Sequence, residues 1–339
     1  MTNISTPLRL CLIMVCSILF PSTSNCQTVG DTFTDPAFTY KVLAVDVAAK
    51  RGLVELTGLA TEVGESLVIP AAVSQSFDGE EWTFAVSAIG ASAFAECKKL
   101  QTVKFPALEE TSLTTIGPLA FHHCTALRSL NLEDTKIEVL ESLFTKDDAE
   151  EMYFEELTEL KLPETLKEIK SFAMQFLGIR TMTIPASVTT IGEGILEGNI
   201  YLEEFYWKGA KVNKLPLTTF LGDDALQKVY FLTDNDIDPN GLTDMHFYMC
   251  HKEMLTVYVT PSSYSVLTAN GYDNETSVFS TIAVDEEWTA IQRSHAATPE
   301  SAFSTADKYQ ATYSLQGSRI TYPRKGTLYI RDGRKYMAR

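Results

Sequence analysis

A chain of 339 residues that is 45% hydrophobic and 21% charged has the balance of a folded protein, which excludes disorder along most of its length. Its net charge of −16 excludes nucleic acid as a partner, because phosphates would be repelled. The charge is uneven: residues 307–339 hold eight Lys/Arg against Asp307 and Asp332, a basic end on an acidic body.

Arg9 precedes a largely apolar run of eleven residues, Leu10 to Phe20. That is too short to span a bilayer, which needs about 20 residues, and suits the apolar region of a secretory signal peptide. Cleavage before Gln27 puts Ser24 and Cys26 at the small-residue positions, so residues 1–26 read as the signal and the chain as exported. A lipoprotein would instead be acylated at Cys26. No later run is long enough to cross a membrane.

Residues 27–63 read as an N-terminal β-hairpin cap, with Tyr40–Val47 and Leu53–Thr57 as strands around Lys50-Arg51-Gly52. Leu67-Val68-Ile69-Pro70 is a lead-in strand. Residues 64–284 then repeat two coupled patterns. The first pairs an aliphatic residue with a large apolar one five positions on: Ile89/Phe94, Ile116/Phe121, Val139/Phe144, Ile169/Met174, Ile191/Leu196, Leu215/Phe220 and Leu242/Phe247. The second is L-x-x-V-x-F, in Leu100-Val103-Phe105, Leu127-Leu130-Leu132, Leu157-Leu160-Leu162, Ile179-Met182-Ile184, Leu202-Phe205-Trp207, Leu226-Val229-Phe231 and Met254-Val257-Val259. Repeat starts lie 22 to 30 residues apart.

V-x-F alternation is a short strand with one buried face. One such strand cannot hide that face alone, so the copies stack into a parallel sheet over one continuous core. The expected fold is α/β: a right-handed leucine-rich-repeat solenoid of about seven to eight coils. Short parallel strands form one face and irregular segments return along the other, with a small β appendage at the C-terminal end.

Signal cleavage leaves Cys97, Cys124 and Cys250, each three residues past the repeat's large apolar residue. That phase makes them buried structural thiols, with a Cys97–Cys124 bridge between adjacent coils as the alternative. Cys250 lies five coils beyond Cys124, roughly 24 Å at ~4.8 Å per coil, so the three cannot share a metal. The histidines His122, His123, His246 and His251 sit in return segments and read as rim residues. They do not supply the four converging ligands of a zinc site.

Ala88 to Pro106 reads A-I-G-x-x-A-F-x-x-C-x-x-L-x-x-V-x-F-P, and Ile116-Gly117 through Cys124 repeats its first half. These segments resemble the BspA-like leucine-rich repeats of Bacteroidetes surface proteins. The resemblance covers about residues 38 to 284 and implies a surface location with varied ligands. It brings no catalytic residues and no cofactor. Residues 285–306 show no repeat phase and read as a linker. The basic β segment 307–339, with Tyr313 to Ile320 and Leu328 to Lys335, resembles type IX secretion sorting domains, which implies sorting or anchoring. A plain β-hairpin appendage is the other reading.

Three features are candidate sites. Asp236, Asp238 and Asn240 with Gly241 open like a calcium loop, with Asp244 at the ninth position, but Phe247 stands where a bidentate Glu is wanted. An acidic insertion, Thr145 to Glu156, reads as a solvated bulge or a contact for a basic partner. The residue between V and F points away from the core, giving an outward row Lys104, Asn131, Lys161, Thr183, Tyr206, Tyr230 and Tyr258, with Glu204 and Lys228 beside the tyrosines. Tyrosines are frequent binding hot spots, and they also simply suit exposed strands. The expected function is non-enzymatic binding of an extracellular protein or glycan through this sheet. The alternative is a structural cell-envelope spacer without a specific ligand.

Overall fold

The computed structural model describes residues 28–144, 154–209, 214–231, 237–239, 242–272 and 279–285, together with four short strands between 312 and 337. The signal segment, most of the acidic insertion and most of residues 285–306 lie outside the described residues. Two units, 1–285 and 286–339, are each described by themselves.

The first unit begins with a cap. Strands β1 (Thr32–Thr34), β2 (Phe38–Asp46) and β3 (Arg51–Leu59) form the expected hairpin plus one flanking strand. A second hairpin, β5 (Ala72–Phe77) and β6 (Glu80–Ile89), completes the order β1-β2-β3-β6-β5, with β3 and β6 parallel. The sequence reading had not placed this hairpin. Its turn is Asp78-Gly79, both at positive φ (51° and 80°), the pair that a two-residue hairpin loop requires. Alternating residues send Phe33, Phe38, Tyr40, Phe77, Trp82 and Phe84 inward, where they pack ring on ring. The Tyr40 hydroxyl donates to Asp35 at 2.9 Å, and burial holds its phenol far above its ordinary pKa.

The cap feeds directly into the stack. Strand β4 (Ser66–Val68) pairs in parallel with β7 (Thr102–Lys104), while the end of β6 pairs with β8 (Thr115–Ile116). From there each coil gives one strand to a front sheet: β9 (Ser129–Asn131), β11 (Glu159–Lys161), β13 (Thr181–Ile184), β15 (Glu204–Trp207), β16 (Lys228–Phe231), β17 (Thr256–Val259) and β18 (Thr281–Val284). All pairs are parallel, in the orders β4-β7-β9-β11 and β13-β15-β16-β17-β18. The returns are more regular than expected. Two-residue strands β10 (Val139–Leu140), β12 (Glu168–Ile169) and β14 (Thr190–Ile191) form a second parallel sheet along the back.

Between the sheets lies the predicted core. Val103, Leu130, Leu160, Met182, Phe205, Val229 and Val257 enter from the front. Phe94, Phe121, Phe144, Met174, Leu196, Phe220 and Phe247 enter from the return side. Rings in neighbouring coils touch, Phe94 to Phe121 at 5.5 Å and Phe220 to Phe247 at 5.4 Å. Two assignments shift by one residue. Leu140, not Val139, aligns with Ile169 and is buried. Leu255, not Met254, fills the leading leucine position; Met254 is 50% exposed at the end of a 3-10 turn, Lys252–Met254. In both places two adjacent aliphatic residues satisfy the pattern, and pairing with neighbouring coils chooses between them.

The returns are hydrogen-bonded coil to coil, for example Phe94 N–H to Ala120 O (2.9 Å) and Phe121 N–H to Leu143 O (3.0 Å). This needs two left-handed residues four apart in a return: Ser92 and Glu96, Leu119 and His123, Phe172 and Phe176, Gly194 and Gly198, Thr218 and Gly222. The glycine that follows the aliphatic residue in the I-G motif serves a different end. A Cβ on Gly117 would lie 2.6 Å from Ala91 N, and one on Gly192 would lie 2.2 Å from Ser171 N, so these glycines set how closely successive coils approach.

In the last coil a helix, α1 (Pro261–Ala269), takes over the return. Thr260 caps it by accepting from Ser263 N–H at 3.3 Å, and Pro261 fits the first turn, where no donor is needed. The second unit is an antiparallel sheet of β19 (Thr312–Ser314), β20 (Arg319–Ile320), β21 (Leu328–Arg331) and β22 (Arg334–Met337), in the order β20-β19-β21-β22.

These features predict opposite signs for two small substitutions. Gly192→Ala forces a methyl group into the Ser171 backbone and lowers stability by about 1–3 kcal/mol. Thr218→Gly relieves a β-branched residue at φ 58° and raises stability by up to about 1 kcal/mol. Urea unfolding followed by circular dichroism checks both, and a stabilised Gly192→Ala would contradict the close-approach account.

Candidate functional site

Strands β15, β16 and β17 stand in register, so Tyr206 lies opposite Tyr230 and Tyr230 opposite Tyr258. The flanking residues Phe205, Trp207, Val229, Phe231, Val257 and Val259 are buried, which forces the tyrosines onto the outer face by the two-residue period of a strand. The rings stack almost flat: centroids 4.5 Å apart at 5° for Tyr206 and Tyr230, and 4.4 Å apart at 8° for Tyr230 and Tyr258. All three are half-buried. The row ends at small neighbours, Thr183 beside Tyr206 and Ala283 beside Tyr258.

A second outward row runs alongside it, through Thr181, Glu204, Lys228, Thr256 and Thr281. Glu204 ties the two rows together. Its Oε2 accepts the Tyr206 hydroxyl at 2.6 Å and its Oε1 accepts from Lys228 Nζ at 2.8 Å. Carboxylate, ammonium and phenol thus hold one another in place on a rigid sheet. The sequence showed which residues face outward; it carried no signal for this three-way lock, which depends on side-chain rotamers.

The other candidates are less assembled. Asp236 and Asn240 lie outside the described residues, as does the Asp244 side chain, while Asp238 is half-buried. Among the described residues no group of three or more His, Cys, Asp or Glu side chains could hold a metal ion. Of the acidic insertion only Phe154 to Glu156 are described. Phe154 is buried against Phe144 and bridges to Leu177. A depression on the back sheet is lined by Thr114, Thr115, Lys136, Glu138, Glu141 and Lys170. Two of its cations are committed within the fold, Lys136 to Thr111 O at 2.8 Å and Lys170 to Glu168 at 2.7 Å.

His122 and His123 do lie at the rim. His122 Nδ1 reaches Phe144 O at 2.9 Å, and His123 contacts Glu96. His246 is a correction: it is fully buried, bonded through Nε2 to Leu215 O at 2.9 Å and through Nδ1 to the Thr243 hydroxyl at 3.0 Å. It closes the 3-10 turn Asp244–Phe247 and bridges to the preceding coil, so it is a structural residue.

The described cysteines Cys97, Cys124 and Cys250 form no disulfide, and Cys124 and Cys250 are buried. Cys124 donates to Phe94 O at 3.1 Å and Cys250 to Phe220 O at 3.0 Å, in each case the carbonyl of the preceding coil's core phenylalanine. Burial pushes both thiols up to about 12, far from the range of reactive thiolates. Cys97 is partly exposed.

A family model described as the BspA type leucine rich repeat region matches residues 78–156 and 148–279, in six copies. No curated protein matches the chain significantly. Among solved structures, a leucine-rich repeat protein from Bacteroides ovatus shares 18% identity at a TM-score of 0.47, over 75% of this chain and 55% of that one. This chain therefore spans little more than half of that protein's length. A leucine-rich repeat protein from Bacteroides capillosus shares 24% identity at a TM-score of 0.31, over 52% of this chain and 99% of that one. A leucine rich cell surface protein from Faecalibacterium prausnitzii shares 12% identity at 0.34, over 77% and 97%. Among the described residues no helix is long and apolar enough to cross a membrane.

The tyrosine ladder predicts an order of stability losses. Tyr230→Ala removes two ring contacts and Tyr258→Ala one, so the first should cost more by about 0.5–1.5 kcal/mol, the contribution of one aromatic pair. Equal urea midpoints for the two variants would show that stacking contributes nothing. For the thiols, alkylation of the native protein followed by mass spectrometry should modify Cys97 well before Cys124 or Cys250. Early labelling of Cys250 would contradict its enclosure.

Proposed function

We propose that this chain, which belongs to the BspA-type leucine-rich-repeat family, is a non-enzymatic cell-surface or secreted protein that binds an extracellular protein or glycan through its exposed front sheet. One observation carries the reading: three tyrosines stacked in register on the outer face, with centroids 4.4–4.5 Å apart. Each ring is ordered by its neighbour before any ligand arrives, which lowers the entropy lost on binding. Tyrosine combines large contact area with a hydroxyl, the combination that dominates interface hot spots. Glu204 and Lys228 add a fixed polar flank at one side of the row. Export and surface placement rest on the family and on the signal-like segment Leu10 to Phe20.

The faces of Tyr230 are covered by Tyr206 and Tyr258, so the middle ring offers its edge and hydroxyl side. The outer ring faces of Tyr206 and Tyr258 turn toward Thr183 and Ala283 at the two ends of the row. A sugar stacking on an aromatic face would engage those ends, whereas a polypeptide lying across the strands would engage all three edges.

The test compares the full chain with the triple variant Tyr206→Ala/Tyr230→Ala/Tyr258→Ala on a glycan array and against immobilised extracellular-matrix proteins. Binding by the full chain that falls at least tenfold in the triple variant supports the reading, since one hot-spot truncation costs about 2 kcal/mol. Equal binding by both proteins rejects this face, and binding by neither favours the envelope-spacer role.

A further inference from the structure

In this stack the residue three past the large apolar core residue of each return forms a largely polar, buried ladder between coils. Asn199 shows the complete pattern. Its Oδ1 accepts from Leu177 N–H at 2.7 Å, and its Nδ2 donates to Met174 O at 2.9 Å, so it both accepts from and donates to the preceding coil. Cys124 and Cys250 follow the donating half with their thiols. Asp223 is the next rung after Asn199. Its Oδ1 accepts from Asn199 N–H at 2.8 Å, the same half-pattern one coil later. Its other oxygen, Oδ2, is fully enclosed and makes no hydrogen bond among the described residues. An ionised carboxylate has no proton to donate there, and a buried, half-satisfied charge is among the most costly groups in a protein interior.

We propose that Asp223 is a neutral carboxylic acid in the folded protein at neutral pH, with its proton on the enclosed Oδ2, so that the joint between the Tyr206 and Tyr230 coils responds to pH. The groups that act on it electrostatically are Glu197 from the preceding coil and Asp224 beside it in the chain, and both oppose a further negative charge. The Cys250 thiol faces it from the following coil and stays neutral, while Lys252 acts on that thiol. Burial is the main force raising the Asp223 pKa well above the ordinary carboxylate value, and the Asn199 N–H opposes it.

The folded pKa exceeds the unfolded value of about 3.9, so the folded state keeps a proton that the unfolded chain has released. The contribution of Asp223 to stability is therefore full below about pH 4 and is lost as pH rises toward its folded pKa. This is the reverse of an ion-paired aspartate.

Asp223→Asn places a permanent donor on the rung. Urea unfolding of both full chains at pH 5 to 8 should show the variant more stable at pH 8, by at least tenfold in the folding equilibrium constant, the equivalent of one pKa unit. The advantage should shrink toward pH 5. Identical pH slopes for the two proteins would overturn the proposal. A second readout does not depend on the variant: in wild-type protein labelled with ¹³C at the aspartate carboxyl carbons, one resonance should keep the chemical shift of a neutral acid at pH 7. Ionised shifts for every aspartate at that pH would equally overturn it.

Discussion

No coil of this protein can bury its own apolar face, and every other feature depends on how the next coil covers it. The front strands are three to four residues long and would be unstable alone. Parallel hydrogen bonds along the front sheet, the back sheet and the return turns fix the spacing between coils. That spacing then dictates chemistry on both sides of the chain. Inside, it puts Phe220 5.4 Å from Phe247. Outside, it puts Tyr206 and Tyr230 at 4.5 Å, so like residues in successive coils must stack. The outward tyrosine ladder and the core ladder are two results of one repeat distance.

The same spacing makes the polar ladder demanding. A residue buried between two coils meets both a backbone donor and a carbonyl acceptor of the preceding coil. Asparagine answers both with one amide, and cysteine supplies the donating half with a weak thiol and little desolvation cost. Leu177 avoids the demand by carrying no polar atom on its side chain, leaving its own N–H to Asn199. The mixture of Cys, Leu, Asn and Asp at one repeat position is thus a set of different answers to one hydrogen-bonding problem.

Much of the fold was legible because it rests on period and phase. Alternation named the inward residues of the front strands, and the fixed offset named Phe94, Phe121 and Phe220. It slipped at Val139/Leu140 and Met254/Leu255, where the deciding information is the register of a neighbouring coil and not the local pattern. The β5–β6 hairpin was legible in principle from Asp78-Gly79, but its polar strand residues Ser74, Gln75 and Ser76 hid the alternation. At the candidate site, the outward direction of the tyrosines follows from parity. Their flat stacking and the lock formed by Glu204 follow from rotamers and strand register, which a sequence does not display. His246 reads as a rim residue because it sits in a return segment; the turn around it sends its ring inward.

The cap does more than close one end. Because β6 belongs to the cap sheet and also pairs with β8, the aromatic cluster of Phe33, Tyr40, Trp82 and Phe84 is joined by backbone hydrogen bonds to the first coil. The other end finishes on the single strand β18 and the nine-residue helix α1. A pulling force applied after Val284 would therefore meet a graded material. It would peel the solenoid one coil at a time, breaking a few hydrogen bonds per step, while the N-terminal cluster holds until last. Under tension, such a chain would lengthen in small increments and absorb work before its foundation gave way.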